Sequence, residues 1–240
     1  MFTFKSMASS SAGNVNLLTH GETTVILDCG LPWRKVRELV GFDRAGDMPI
    51  LISHAHKDHC KGVIDTQCRN DVYMSKETKE ALNIEYAHNF HIVEHGKTYI
   101  LNDTLSFVPF SLVHDEKVPC FGYLIASQGG ERVAYITDTA YVPNRLPPLS
   151  LLAIECNYCE ASLAQSIAEG KIDKKRAERV RETHFGLENV VEFLKASDLS
   201  RLREIHLLHL SGDNSDELQM IVNVEYAAPN AKVFAAAVKA

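Results

Sequence analysis

The chain has 240 residues, of which 45% are hydrophobic and 23% are charged, and its formal net charge at pH 7 is −6. This length suffices for a substantial core, and we expect one domain over residues 1–240. An acidic chain carries no global signature of nucleic-acid binding, so a local basic patch would have to supply any such role.

The apolar runs and the cysteines indicate the cellular compartment. No apolar run approaches the ~18 residues of a membrane span, and residues 1–6 lack the apolar core of a signal peptide. The six cysteines show no disulfide-framework spacing, so we expect reduced thiols in a cytoplasmic protein without a membrane partner. Cys156 and Cys159 form a lone CxxC pair, which we interpret as ordinary cysteines at a strand end and not as a structural zinc site.

The first half of the chain alternates apolar and polar residues as strands do. Its opening predicts an antiparallel arrangement, and Pro32 stands at the first turn of a short helix. The predicted strands are 2–6, 15–19, 23–27, 49–53, 72–74, 99–100, 104–112, 121–126 and 133–137, and the predicted helices are 33–40 and 76–82.

The second half changes character. A buried strand over 149–154 ends at Glu155, helical patterns cover 160–196, a strand follows at 205–208, and a helix lies near 215–223. Strands that alternate with helices indicate helices packed outside a sheet. The predicted fold class is therefore mixed α/β (α+β).

The segment His54-Ala55-His56-Lys57-Asp58-His59 follows an apolar run and predicts a metal site. Side chains at i and i+2 of an extended run share a face, so His54 and His56 can bind one ion. A turn after Lys57 would direct Asp58 and His59 to a second ion. A chance match to HxHxDH is roughly one in a thousand in a chain of this size, and imidazoles with a carboxylate suit zinc, iron or manganese.

Two ions need more donors than one segment supplies, and later strand ends provide them. His114, Asp138 and His209 each stand at the end of a predicted strand, where a site at the rim of a sheet would draw its ligands. The remaining histidines lack this placement, and we interpret most of them as surface or core residues: His20, His88, His91, His95 and His206.

These seven residues, in this order, resemble the metal-ligand pattern of the metallo-β-lactamase fold superfamily. The resemblance implies a four-layered αββα sandwich that holds two divalent ions, Zn²⁺ or Mn²⁺, at its edge. It further implies one ion on His54, His56 and His114, and the other on Asp58, His59 and His209. Asp138 would bridge the two ions.

Further motifs are similar to the YycJ/WalJ group of bacterial and phage proteins, which is linked to DNA exonuclease activity. The motifs are 7–14 (MASSSAGN), 27–30 (LDCG), 114–115 (HD), 122–123 (GY), 137–139 (TDT), 155–157 (ECN) and 208–214 (LHLSGDN). This chain carries Thr-His-Phe-Gly-Leu at 183–187, where that group usually carries Gly-His-Leu-Ser-Asn. The resemblance predicts a nuclease whose site around His184 differs in detail.

A two-metal centre suits phosphodiester hydrolysis, because divalent cations lower the pKa of the attacking water and offset charge on phosphoryl oxygens. The leaving oxygen still needs a proton, and we predict His184 as its donor, oriented by Glu155. Asp58 joins these two as a predicted catalytic residue. The alternative for His184 is a helix-terminal histidine without a role. Asp28 is expected to accept the ring N–H of a ligand histidine.

Two segments predict substrate contacts. Residues 171–181 carry six basic and two acidic side chains, and we expect Lys175 and Arg179 to hold a nucleic-acid backbone, although a solvated helix face is the alternative. The small residues of 8–14 let backbone N–H groups approach an anion, which makes Ser10 and Asn14 candidates unless this loop is merely solvated.

The sequence favours a phosphodiesterase that acts on nucleic acid or nucleotides, most specifically a 5′-to-3′ DNA exonuclease. The alternatives within the same fold are a cyclic-nucleotide phosphodiesterase, an RNase Z-like RNA nuclease, and a thioester or lactone hydrolase. A binding protein with a degenerate site is the alternative from another class. The oligomeric state stays open.

Overall fold

The computed structural model describes residues 1–42, 44–66, 69–84, 88–115 and 118–236. The strands are β1 (Phe2–Ala8), β2 (Val15–His20), β3 (Thr23–Leu27), β4 (Ile50–Leu51), β5 (Val72–Met74), β6 (Phe90–Ile92), β7 (Tyr99–Asn102), β8 (Leu105–Asp115), β9 (Val118–Ser127), β10 (Arg132–Ile136), β11 (Leu151–Glu155), β12 (Glu204–Leu208) and β13 (Lys232–Ala235). The helices are α1 (Trp33–Val40), α2 (Lys57–Cys60), α3 (Lys76–Ala81), α4 (Glu160–Ala168), α5 (Lys174–Thr183), α6 (Leu187–Lys195) and α7 (Glu217–Ala227). None of these described helices is long and apolar enough to cross a membrane.

The strands form two mixed sheets, each with an antiparallel part and a parallel part. The first sheet has the order β1-β2-β3-β4-β5-β6, and the second has the order β13-β12-β11-β10-β9-β8-β7. In the first sheet β1 to β3 are antiparallel and β3 to β6 are parallel. In the second, β7 to β10 are antiparallel and β10 to β13 are parallel. The two-residue turn between β2 and β3 contains Gly21 at a φ of 60°, which a tight hairpin requires.

Both faces of each sheet are covered. Along β10, Val133 and Tyr135 belong to the core between the two sheets, whereas Ala134 and Ile136 belong to the core under α6 and α7. The outer face of the first sheet packs against Val36 of α1. Since strands alternate side chains between faces, these three cores give the helix–sheet–sheet–helix layers that the family resemblance implies.

The antiparallel opening and most predicted elements are confirmed, with differences in detail. The run 49–53 contains only the two-residue β4, and the helical region 160–196 is three helices. Gly170, at a φ of 71°, follows α4, and the side chain of Asp173 caps α5 by accepting the N–H of Arg176. Residues 57–60 form a helical turn, and β6 and β13 have no counterpart in the predicted elements.

The parallel order of β10, β11 and β12 places three polar residues at one edge of the second sheet. Glu155 is the last residue of β11, His209 follows β12 directly, and Asp138 lies two residues after β10. Because carboxyl ends of neighbouring parallel strands meet at one edge, this arrangement concentrates their side chains. The segment after β4 reaches the same edge from the other sheet, as the contacts below show.

Candidate metal centre

Three imidazoles converge at this edge. The Nε2 of His54 lies 3.0 Å from the Nδ1 of His56, and the Nε2 of His114 lies 3.3 Å from that same Nδ1. The outward nitrogen of His114 donates to the carbonyl oxygen of Thr183 at 2.7 Å, which leaves its Nε2 as a lone pair facing the cluster. Burial, together with the neighbouring imidazoles, lowers the pKa of His54 and of His56, which favours the neutral, metal-binding form of both rings.

A second group combines Asp58, His59 and Asp138. The Nε2 of His59 lies 3.5 Å from Asp58 Oδ2 and 3.4 Å from Asp138 Oδ1. Its Nδ1 contacts Asp28 Oδ2 at 2.7 Å, so the expected contact between Asp28 and a candidate ligand is present. Burial opposes protonation of His59, but Asp138 and Asp28 outweigh it and hold its pKa well above the usual value. A pocket that stabilises a proton in this way also stabilises a metal cation.

Asp138 is shared by all the groups that could hold a metal in the described part of the chain. His209 contacts Asp138 Oδ1 through its Nδ1 at 2.7 Å and lies 3.2 Å from Glu155 Oε1. The structure therefore groups His209 with Asp138, Glu155 and His184, whereas the resemblance implies a grouping with Asp58 and His59. Burial opposes protonation of His209, but the two carboxylates raise its pKa to about 10.

His184 and Glu155 form the pair that the sequence predicts. The Nδ1 of His184 lies 2.7 Å from Glu155 Oε1, and the other carboxylate oxygen accepts the N–H groups of Phe185 and Thr139 at 3.0 and 2.9 Å. The carboxylate is thus held on both oxygens, and it raises the pKa of His184 against the opposing effect of burial. The His184 side chain is 22% exposed and lines a cleft.

The donor set fits divalent cations. Nitrogen lone pairs 3.0 to 3.3 Å apart repel one another unless a cation or a proton lies between them. The other ring nitrogen of His59 contacts a carboxylate, and that of His114 contacts a carbonyl oxygen. Proteins orient metal-ligating imidazoles through contacts of this kind. Imidazole and carboxylate donors together suit zinc or manganese.

Asp28 anchors a buried network beneath the histidines. Its carboxylate accepts the N–H and hydroxyl of Ser53 at 2.8 and 3.0 Å and the hydroxyl of Tyr135 at 2.7 Å. The Ser53 hydroxyl also lies 2.9 Å from His54 Nδ1, so one network contacts a histidine of each group. Sequence reasoning missed Ser53 and Tyr135, because a serine after an apolar run and a tyrosine within a strand carry no signal of their own.

The loop 8–14 contacts α2 through Asn14. The backbone N–H of Asn14 donates to the carbonyl oxygen of Asp58 at 2.7 Å, and its Nδ2 lies 3.1 Å from His59 Nε2. Gly30 is required nearby, because a Cβ there would lie 1.6 Å from the Asp58 carbonyl oxygen. Asn14 is 3% exposed and does not line the cleft, whereas Ser10 does. The structure therefore places Asn14 behind the candidate ligands and only Ser10 where a substrate can reach.

A cleft of about 520 Å³ opens onto the cluster of candidate metal ligands. Helix α5 forms one side of it through Arg176, Arg179, Val180 and Thr183, which lie on one helical face. Lys175 does not line this cleft and is exposed elsewhere on the helix, because one residue is a rotation of about 100° on an α-helix. The 3.6-residue period points to Arg176 as the partner of Arg179, and this signal was available in the sequence.

The remaining candidates lie outside the cluster. Cys156 and Cys159 are buried in the core under α6 and α7, and neither belongs to a group that could hold a metal among the described residues. His91 pairs with Asp71 at the surface, and His206 stacks on Phe234. These placements agree with the interpretation of such histidines as surface or core residues.

The chain is similar to named bacterial proteins. Exodeoxyribonuclease WalJ of Streptococcus pneumoniae serotype 2 (strain D39 / NCTC 7466) is 27% identical over 231 residues, which cover 89% of this chain and 83% of that protein. Exodeoxyribonuclease YycJ of Bacillus anthracis is 27% identical over 229 residues, 88% of this chain and 83% of that protein. The crystal structure of the metallo-beta-lactamase fold protein YhfI from Bacillus subtilis superposes with a TM-score of 0.74 at 16% identity, covering 98% of this chain and 95% of that one.

The sequence pattern of the beta-lactamase superfamily domain matches residues 23–207, which is most of the chain. The matched region contains Asp28, the segment 54–59, His114 and Asp138, and it ends two residues before His209. This chain therefore belongs to the beta-lactamase superfamily, has the metallo-β-lactamase fold, and is a metal-dependent hydrolase.

Proposed function

We propose that this protein is a dinuclear metal-dependent phosphodiesterase that hydrolyses nucleic acid, and that it acts as a DNA exonuclease from the 5′ end. The observation that carries the proposal is the position of His184 and of two arginines along one cleft with the candidate metal ligands. The names of the WalJ and YycJ relatives support it, since both are exodeoxyribonucleases.

The proposed ligands divide between two ions. His54, His56 and His114 would hold one ion, and Asp58 and His59 would hold the other. Asp138 belongs to both groups and would contribute to both ions. His209 completes the set from the side of Asp138, where its Nδ1 lies 2.7 Å from a carboxylate oxygen. The centre thus draws ligands from segments that follow or end β4, β8, β10 and β12.

A divalent pair supplies an activated water at neutral pH and neutralises charge on the phosphoryl oxygens. The chain's own residues supply the proton for the leaving oxygen. His184 donates it from Nε2, while Glu155 accepts the hydrogen bond from Nδ1 and fixes the tautomer. The Glu155 carboxylate raises the pKa of His184, which favours the protonated form that can donate. Arg179 and Arg176 face the anionic substrate in the same cleft.

The proposal is tested with end-labelled DNA. Duplex DNA labelled at the 5′ end, with added Mn²⁺ or Zn²⁺, should release labelled mononucleotide first, whereas DNA labelled at the 3′ end should give a ladder of shortening fragments. A cyclic nucleotide, an RNA and a thioester are assayed in parallel. Faster hydrolysis of the cyclic nucleotide or the thioester than of DNA would overturn the proposal. A 3′-labelled mononucleotide appearing first would overturn the polarity.

Tyr135→Phe is expected to weaken metal binding about 10-fold without abolishing folding. The Tyr135 hydroxyl donates to the same Asp28 oxygen that contacts His59 at 2.7 Å, so its loss leaves Asp28 and the His59 ring less firmly placed. Losing an orienting partner behind a metal ligand costs 10- to 100-fold in affinity or activity. Calorimetric titration of the metal-free protein with Mn²⁺ measures this effect.

Tyr123→Phe is the matched control. Tyr123 is also fully buried between the sheets, but its hydroxyl donates to the carbonyl oxygen of Ile52 at 2.6 Å and not to Asp28. Tyr123→Phe loses this buried hydrogen bond, worth ~1 kcal/mol of stability, and Tyr135→Phe loses the bond to Asp28 and a longer one, at 3.3 Å, from Asn16 Nδ2. Equal losses of metal affinity in the two variants would show that Tyr135 acts only as a core residue and does not position the candidate metal ligands.

A further inference from the structure

Helix α5 is attached to the metal cluster at its carboxyl end. The carbonyl oxygen of Thr183, its last residue, accepts the Nδ1 hydrogen of His114 at 2.7 Å, and His184 follows directly. A helix advances 1.5 Å per residue, so each side chain on the cleft face has a set distance from the candidate ligands. The helix therefore fixes the position of each cleft-facing side chain relative to the candidate metal ligands.

Two arginines lie on the cleft face of α5. Arg179 and Arg176 precede Thr183 by four and seven residues, which is ~6 and ~10.5 Å along the helix axis. Both line the cleft, and no ion pair ties either of them to an acid in the described ranges. Arg181 differs, because its guanidinium binds both carboxylate oxygens of Glu160. Lys171 is likewise paired, with Glu169 at 2.7 Å.

Neutral polar groups also line the cleft. Ser10 and Ser11 come from the loop after β1, and Ser211 and Asn214 from the segment after β12. Hydroxyl and amide groups of this kind hydrogen-bond phosphates, sugars and bases, but they carry no charge to attract an anion. Asp115 and Asp213 also line the cleft, so its charge is not uniformly positive and the two arginines determine where an anion is held.

We propose that Arg179 and Arg176 form a phosphate subsite that binds two successive backbone phosphates of a single nucleic-acid strand beyond the bond that is cut. This inference rests on the proposed function and names the substrate more closely. A guanidinium matches a phosphate with two parallel hydrogen bonds, and the two side chains are one helical turn apart, ~5–6 Å between their Cβ atoms. The preferred substrate is therefore a strand end with at least two further phosphates, which a cyclic nucleotide cannot offer.

The experiment compares substrates of increasing length. Rates are measured on single-stranded oligodeoxynucleotides of two to eight residues and on bis(p-nitrophenyl) phosphate, a diester with no further phosphate. For the unmodified protein, kcat/KM should rise steeply up to about four residues and then level off. For Arg176→Ala/Arg179→Ala, we expect a loss of about 100-fold on the octamer, mostly in KM, against less than threefold on the small diester. In this double variant, the negative slope of log kcat/KM against log salt concentration should become shallower by about 1.4, because two phosphate contacts are lost.

Lys174→Ala/Lys175→Ala is the charge-matched control. It removes two positive charges from the same helix, but neither lysine lines the cleft. Equal losses in the two double variants, or equal losses on octamer and small diester, would overturn the subsite. If the unmodified protein cleaves neither the oligonucleotides nor the end-labelled duplex DNA but does hydrolyse another substrate, the proposed function itself fails, whereas cleavage of the duplex alone would overturn only the single-strand subsite. The two failures are therefore distinguishable.

Discussion

Asp138→Asn is expected to remove at least one metal ion per chain and to lower turnover by about 10³-fold or more. Asp138 belongs to every group that could hold a metal among the described residues, and its Oδ1 lies 3.4 Å from His59 Nε2 and 2.7 Å from His209 Nδ1. Metal ions contribute several kcal/mol of charge stabilisation in such reactions, and each 1.36 kcal/mol is tenfold in rate. Metal analysis after loading and gel filtration, with turnover on DNA, measures both effects.

Asp71→Asn provides the control for this substitution. Asp71 also contacts a histidine, His91, at 2.7 Å, but the pair is exposed and lies outside the metal cluster. It should keep full metal content and full turnover. If Asp138→Asn also retained two ions per chain and normal turnover, the shared position of Asp138 would have no catalytic meaning, and the assignment of the centre would be wrong.

His184→Ala is expected to lower turnover on DNA by 10²- to 10⁴-fold while the metal content stays unchanged. The residue lies in the cleft and contacts Glu155, so its loss removes a proton donor. The size of the effect should depend on the leaving group. A p-nitrophenolate leaves without a proton, so turnover on bis(p-nitrophenyl) phosphate should fall far less. The loss should appear in kcat, unlike that of the arginine pair, which should appear in KM.

His95→Ala serves as the control for His184. His95 is exposed and accepts the backbone N–H of Ser111, away from the cleft. Its removal should leave both substrates unaffected. Equal losses on DNA and on the activated diester in His184→Ala would assign the residue a role in shaping the centre, and an unchanged rate on DNA would remove it from the mechanism.

The layers of the fold could be predicted because their signals are local. Alternation in β1 to β3 and the apolar run of β11 depend on burial of one or both faces, which the sequence displays directly. The edge strands β6 and β13 were not predictable in this way. They have three and four residues, and they are strands because a neighbour offers hydrogen bonds, as β12 does to β13. Pairing of that kind is a property of the tertiary structure.

The candidate ligands could be predicted because their chemistry depends on residue type and on strand ends. The grouping of these side chains could not be predicted. His209 reaches the cluster through a backbone φ of 55°, a left-handed conformation that nothing in the sequence predicts. Ser53 follows a strand of the first sheet, Tyr135 lies in a strand of the second, and both contact Asp28, so only the packed structure reveals them. Arg176 is different, because helical periodicity alone would have identified it.

The candidate ligands come from both sheets. His54 and His56 follow a strand of the first sheet, whereas His114 and Asp138 belong to the second, yet their donor atoms lie within 4.8 Å of one another. A bound ion would therefore cross-link the two layers, much as a disulfide joins distant segments. Slippage of one layer past the other by about an ångström would empty the centre while both hydrophobic faces stay buried. Such a chain would be inactive long before it is unfolded.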